Sequence, residues 1–247
     1  MEIKVQDLHK KMKKVQALKG LDMEFEDGLV HGIIGPEGAG KTTLMRHLMG
    51  LLKADQGQIE YLHQGQVVSF DKIRHQLAYM PQTQSLYGEL SIQEHLEFFK
   101  TLYGLNEEEF QERSRKLLEM TRLDRFQERL ASQLSGGMYK KLGLVCALLA
   151  SPKVLFLDEP TNGVDPLSRR DFWKLLYELR EQEKITILVT TSYMDEAYKC
   201  ENVHLLFDGK TLLEGEPEAI LKKEHCDTFD EVFLRYDSSL EAFGAET

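Results

Sequence analysis

Two spacings of hydrophobic residues alternate along the chain, and they predict its elements. Near the N-terminus the spacing is that of strands: Glu2–Leu8 carries apolar Ile3, Val5 and Leu8, and Ala17–Phe25 carries Leu18, Leu21, Met23 and Phe25. Glu26-Asp27-Gly28 reads as a turn, followed by an apolar run, Leu29–Ile34, that predicts a buried parallel strand. Thr43–Met49 then predicts a helix closed by Gly50. Short strands are expected at Gln58–Tyr61 and Gln66–Phe70 around a Gly65 turn, and at Ala78–Gln82 where Pro81 ends the run.

From Ser91 to Ala150 the period changes to that of helices. Ser91-Ile92-Gln93-Glu94 has the form of a capping box and opens a helix towards Tyr103. Glu107–Leu123 is a charged helix with Phe110, Leu117 and Leu118, and Met138–Ala150 places Leu142, Val145, Cys146 and Leu149 on one face. Strand and helix then alternate again. Strands are expected at Val154–Leu157 and Ile185–Thr190, with helices at Ser168–Arg180 and Met194–Lys199. A hairpin follows, His204–Phe207 and Thr211–Leu213 around Asp208-Gly209. The stretch from Glu224 to Thr247 is polar with scattered aromatics and is expected as a C-terminal tail.

Three stretches carry chemistry. Gly35-Pro36-Glu37-Gly38-Ala39-Gly40-Lys41-Thr42 fits G-x-x-x-x-G-K-[ST] at every fixed position, between a strand and a helix. Its glycines let backbone N–H groups turn around an anion at the positive end of the helix dipole. Lys41 is placed to reach the β- and γ-phosphates of a nucleotide, and the Thr42 hydroxyl to ligate Mg²⁺. Val154-Leu155-Phe156-Leu157-Asp158-Glu159-Pro160 is a buried strand ending in two carboxylates, with Asp158 on the metal side and Glu159 as the base that polarises an attacking water. Leu134-Ser135-Gly136-Gly137-Met138 offers a hydroxyl and exposed N–H groups at a helix start, which as a motif by itself is also an ordinary helix cap.

Composition narrows the class. With 247 residues, 42% hydrophobic and 29% charged, the chain is an ordinary globular protein. Its net charge of −10 argues against a broad nucleic-acid-binding face, so no nucleic acid is expected as a partner. Cys146, Cys200 and Cys226 lack metal-ligand spacing and read as reduced thiols. The longest apolar run, Leu142–Ala150, is far shorter than the roughly 18–20 residues of a membrane span.

Taken in order, GPEGAGKT, Gln82 at a strand end, LSGGM, VLFLDEP and Gly163-Val164-Asp165 resemble the nucleotide-binding subunit of an ABC transporter over nearly the whole chain. DEPTNGVDPLSRRDFW and TTSYMDEA are similar to bacterial drug-efflux exporters, in which the ATPase pairs with a separate membrane subunit. The resemblance implies an α/β fold: a P-loop NTPase (RecA-like) core with an N-terminal antiparallel β subdomain and an inserted α-helical subdomain. One domain would cover 1–247, with the core at 1–84 and 151–223, the helical subdomain at 85–150 and the tail at 224–247. ATP and Mg²⁺ are the implied ligands. Gly35, Pro36, Glu37, Gly38, Ala39, Gly40, Lys41, Thr42 and Thr43 would hold the nucleotide, with Met12 on the adenine. Thr42, Gln82 and Asp158 would hold the metal, and Glu159, Lys41, Gln82 and Ser192 would act in catalysis.

The resemblance further implies a head-to-tail dimer, homomeric or heteromeric. Ser135, Gly136 and Gly137 would touch the γ-phosphate held by the other subunit, and Asp165 would join the two sites. A groove near Gln82, Tyr87 and Leu90 would receive an integral-membrane permease, which places the chain peripherally on the cytoplasmic face of the membrane. Closure of the dimer by ATP and its release by hydrolysis would power export. Four positions depart from the usual family residues. Ser192 replaces the His that contacts the γ-phosphate, Met12 the stacking aromatic, Glu37 a common Asn, and Met138 the usual Gln. They leave two readings: a working transport ATPase, or a nucleotide-gated module with impaired hydrolysis that works with another ATPase half.

Overall fold

The strand and helix periods resolve into two sheets and a helical block. The structure, a computed structural model, describes residues 1–83 and 86–244, with side chains as far as Tyr236. In chain order the elements are β1 (Glu2–Met12), β2 (Val15–Phe25), β3 (Val30–Ile34), α1 (Lys41–Leu48), β4 (Gln56–His63), β5 (Gln66–Val68), α2 (Phe70–Ile73) and β6 (Leu77–Met80). The helical block is α3 (Ile92–Tyr103), α4 (Glu107–Thr121) and α5 (Gly136–Leu148). Then come β7 (Val154–Asp158), α6 (Pro166–Glu183), β8 (Thr186–Thr191), β9 (Asn202–Phe207), β10 (Lys210–Gly215), α7 (Pro217–Glu224) and α8 (Phe229–Gly244).

One sheet is antiparallel, in the order β2-β1-β4-β5. The other runs β10-β9-β3-β8-β7-β6, parallel from β9 to β6 with β10 antiparallel at the edge. Every residue of β3, β7 and β8 is buried, as the unbroken apolar runs require of strands covered on both faces. Side chains alternate between two cores. Leu155, Leu157, Ile187 and Val189 face the helical block, whereas Phe156, Leu188 and Ile33 face α1 and the antiparallel sheet. The β9–β10 turn has Asp208 at φ 44° and Gly209 at φ 74°, the left-handed pair that a tight hairpin needs.

Two expectations are corrected. The strand expected to reach Phe70 ends at Val68, and Phe70 opens α2 with its ring against Tyr61. The supposed tail from Glu224 carries α8, with Phe229, Val232 and Phe233 buried. Those three residues have helical i, i+3, i+4 spacing, which the surrounding Asp and Glu residues obscure. The short helix expected at Met194–Lys199 forms at those bounds as a 3₁₀ helix. The boundary between core and helical block expected at Gln84 and Ser85 lies outside the described residues, as do Ala245–Thr247. Among the described residues no helix is long and apolar enough to cross a membrane.

Two histidines are buried between β3, β9 and β10. His31 accepts or donates at 3.4 Å to His204, and its other ring nitrogen lies 2.9 Å from the Glu26 carbonyl. His204 in turn lies 3.2 Å from a Glu214 carboxylate oxygen, and Phe25 packs on both rings. Burial, reinforced by the charge of His204, pushes the His31 pKa down to about 4, against the pull of the Glu26 carbonyl. The unfolded chain therefore takes up a proton near pH 6.5 that the folded chain refuses until about pH 4, and stability falls with pH across that window. From pH 7 to pH 4 the loss is about 3 kcal/mol. His31→Gln is expected to flatten the pH dependence of urea unfolding between pH 6.5 and 4, and an unchanged slope would refute the assignment.

Candidate active site

The glycine loop connects β3 to α1 under close constraint. A Cβ on Gly35 would lie 2.0 Å from the Leu206 carbonyl oxygen, and Gly40, at φ 108°, would meet the Ala17 carbonyl at 2.7 Å. Those contacts allow no side chain at either position and fix the loop against β9 and β2. The loop ends in α1, whose N-terminus has no side-chain cap and no acidic residue in its first turn. By contrast, Ser91, Asn106, Ser135 and Asp165 each cap their own helices with a side-chain oxygen. The first-turn N–H groups of α1 thus keep their donors for an anion, at the positive end of the helix dipole.

Lys41 opens α1 and turns back over the loop. Its ammonium donates to the Gly35 carbonyl at 2.7 Å, the Pro36 carbonyl at 2.9 Å and the Ser192 Oγ at 2.8 Å, and it lies 3.2 Å from Glu159 Oε1. Both charged side chains are more than nine-tenths buried, which strengthens their attraction and makes an unpaired state of either one costly. Ser192 Oγ also donates to Glu159 Oε1 at 2.9 Å, so it touches both ions. The other oxygen, Glu159 Oε2, accepts from Gln82 Nε2 at 2.9 Å and Asn162 Nδ2 at 3.1 Å. Glu159 itself sits at φ 44°, a strained conformation for a residue with a Cβ. Its N–H donates to the carbonyl and the hydroxyl of Thr190.

Asp158, the last residue of β7, is wholly buried and held by hydroxyls. Thr190 donates to its Oδ1 at 2.7 Å and Thr42 at 3.2 Å, while Tyr79 donates to Oδ2 at 3.0 Å. Burial and the adjacent Asp158 charge push the Tyr79 phenol well above its usual range, so it remains a donor. One carboxylate with a neighbouring threonine hydroxyl is the hard-oxygen set that suits Mg²⁺, an ion that also keeps waters and phosphate oxygens. The residues present therefore fit a magnesium nucleotide.

Most of the predicted residues meet in one place. Glu37, Gly38, Gly40, Lys41, Thr42, Thr43, Gln82 and Glu159 line a cleft of about 380 Å³, closed on one side by Val15, Gln16 and Ala17 and on another by Asp208 and Gly209. Pro36 joins the site through its carbonyl, and Ala39 is buried beneath the loop, accepting from the Gly209 N–H at 3.0 Å. Glu37 is exposed at the rim. Met12 stands at the end of β1, 38% exposed, and is not among the cleft's lining residues. Gln82 meets Glu159 rather than the Thr42–Asp158 pair. Ser135 caps α5 through the Met138 N–H at 3.3 Å, and Ser135, Gly136 and Gly137 lie on the helical block, outside the cleft. Sequence reasoning missed Tyr79, Thr190 and Asn162. Thr190, at the end of β8, and Asn162, three residues past Glu159, stand at positions from which a site could have been suspected; Tyr79 gave no signal in an apolar strand.

Residues 18–162 match the ABC transporter family. This chain belongs to the ABC transporter family. A probable multidrug ABC transporter ATP-binding protein of Escherichia coli is 46% identical over 83% of the chain and 35% of that protein. A daunorubicin resistance ATP-binding protein of Streptomyces coeruleorubidus is 35% identical over 97% of the chain and 76% of that protein. The chain spans about a third of the length of several of the relatives it matches. The solved ATP-binding subunit of an ABC transporter superposes with a TM-score of 0.81 at 29% identity, covering 95% of this chain and 99% of that one. A bacterial ABC transporter cassette solved as a dimer gives 0.74 at 27%, covering 87% and 98%. The α/β cassette with its antiparallel sheet and helical block is the fold expected from the motifs.

Within the cassette, the hydroxyl of Tyr79 is expected to matter for stability before any nucleotide is bound. Tyr79→Phe removes a donor from a buried carboxylate and should cost about 1.5–3 kcal/mol in urea unfolding. A midpoint within experimental error of wild type would show that Thr190 and Thr42 satisfy Asp158 without it.

Proposed function

We propose that this cassette binds and hydrolyses Mg²⁺-ATP and that hydrolysis powers substrate export by an ABC transporter through closure of a head-to-tail dimer. The observation that carries the reading is the convergence of Lys41, Ser192, Gln82 and Asn162 on the Glu159 carboxylate at the mouth of the uncapped α1. The N–H groups of the loop and of the first turn of α1 hold the phosphates, and Lys41 neutralises the β- and γ-oxygens. Thr42 and Asp158 would hold Mg²⁺, which supplies further charge neutralisation there. Glu159 orients the water that attacks the γ-phosphorus and takes its proton as the bond to ADP breaks. Gln82 and Asn162 set the direction of the accepting Oε2, so movement of either alters the base.

Ser192 favours a working ATPase over an impaired one. The hydroxyl stands within hydrogen-bond distance of both Lys41 and Glu159, so a polar contact is retained where the family usually has histidine. Ser135–Gly137, outside their own chain's cleft, are free to face a second subunit's nucleotide, which supports the dimer. Asp165 is exposed and held below the usual carboxylate range by Ser168 and the N–H groups of α6. The exposed Tyr87, packed edge-on against Phe98, belongs to the groove assigned to a permease, which would hold the chain at the cytoplasmic face of the membrane. Drug-like cargo is suggested by what the relatives are named for.

Two measurements test this reading. Glu159→Gln cannot take the proton; turnover should fall about 10²–10⁴-fold while ATP drives the variant into a dimer on size-exclusion chromatography. A variant that stays monomeric in ATP would remove the support for the sandwich. Ser192→His adds a longer donor to the transferring phosphoryl group and should raise the ATPase rate. An unchanged or lower rate would show that the serine hydroxyl already fills the role.

A further inference from the structure

The helix that carries Ser135–Gly137 reaches back to its own chain's catalytic carboxylate through one cation. Lys140, in the second turn of α5, donates from Nζ to the backbone carbonyl of Gln82 at 3.1 Å. The Gln82 side chain donates to Glu159 Oε2 at 2.9 Å, and Asn162 donates to the same oxygen at 3.1 Å. One residue earlier on α5, Tyr139 accepts from the Leu86 N–H at 3.1 Å. The first turns of α5 are thus bonded to the segment that follows β6 at two points, Gln82 and Leu86. Lys140 is half-buried, and burial draws its ammonium pKa below the usual lysine value while Glu159 and Asp158 act in the opposite sense.

We propose that Lys140 is a positioning residue that ties α5 to Gln82, so that a shift of the Ser135–Gly137 helix start is transmitted to the Glu159 base of the same chain. The proposal rests on the head-to-tail reading given above, in which that helix start engages the other subunit's nucleotide. Contact at one site is then converted into alignment of the base at the second through α5 and two hydrogen bonds: the Met138 N–H donates to Ser135 Oγ at the helix start, the helix backbone carries a shift on to Lys140, Lys140 donates to the Gln82 carbonyl, and the Gln82 side chain donates to Glu159. Such a chain is a coupling only if removing one member changes the function of another, which is what the experiment measures. Lys140 is also half-buried, so charge must be separated from packing.

Full-length wild type, Lys140→Met and Lys140→Arg are compared in three assays: steady-state ATP hydrolysis, equilibrium binding of a fluorescent ATP analogue, and amide hydrogen exchange around Met80–Thr83 without nucleotide. Lys140→Met keeps the stem and loses the charge. It should lower kcat about 5- to 20-fold, leave analogue affinity within about twofold, and speed exchange near Gln82 about fivefold or more. Lys140→Arg should restore both kcat and protection. The assignment is overturned if Lys140→Met exchanges and turns over like wild type, or if Lys140→Arg is as impaired as Lys140→Met, since packing alone then accounts for the effect. Wild-type protein without ATP turnover overturns the ATPase reading itself, whereas wild-type turnover shared by Lys140→Met overturns the Lys140 assignment alone.

Discussion

Lys41 and Glu159 meet at 3.2 Å with almost no access to water, and the arrangement of the molecule around them follows from the need to keep that pair satisfied. An ammonium in a low-dielectric setting needs acceptors for three protons; two loop carbonyls and the Ser192 hydroxyl provide them. A carboxylate in the same place needs donors on both oxygens; Ser192, Gln82 and Asn162 provide those. Each partner comes from a different part of the chain: the glycine loop, the end of β6, the turn after β7 and the end of β8. The aligned strand ends of the parallel sheet bring these four positions together, at the carboxyl ends where ligands of open α/β sheets sit.

The same constraint explains the strain at Glu159. At φ 44° the residue turns away from the direction of β7, which aims its carboxylate at Lys41 while Asp158 points towards Thr42 and Tyr79. Two adjacent carboxylates are thereby kept in separate environments, one ringed by hydroxyls and the other by a cation and amides. Separation of this kind is what the proposed roles would need, with Asp158 on the metal side and Glu159 as the base. Thr190 enforces it: its hydroxyl donates to Asp158 and accepts from the Glu159 N–H, so one β8 side chain fixes both.

Much of this was legible from spacing. Buried strands β3, β7 and β8 are unbroken apolar runs, and the capping box at Ser91 is present with both of its hydrogen bonds. The residues with chemistry in fixed motifs, Lys41, Thr42, Asp158 and Glu159, fall in one cluster. What pattern could not supply was anything set by contact between distant segments. Tyr79 sits in an apolar strand and reads as core until its hydroxyl is found on Asp158. The hidden helix α8 shows the opposite failure: Phe229, Val232 and Phe233 are buried by packing beneath a charged surface, and their helical spacing is diluted by acids that face solvent.

Ser192 illustrates why a departure from a motif has to be judged in three dimensions. On length alone, a serine in place of histidine predicts a lost contact with the transferring phosphoryl group. In the folded chain the same hydroxyl is inserted between the two buried ions, donating to one and accepting from the other. It spans two roles that a histidine ring at that position would have to fill differently, since a neutral imidazole offers one donor and one acceptor on opposite sides of a rigid ring. The substitution thus changes the coupling between the Lys41 ammonium and the Glu159 carboxylate, and not merely the reach of one side chain. A shared hydroxyl makes their positions interdependent: any displacement of the Lys41 ammonium alters the hydrogen bond that Ser192 gives to Glu159.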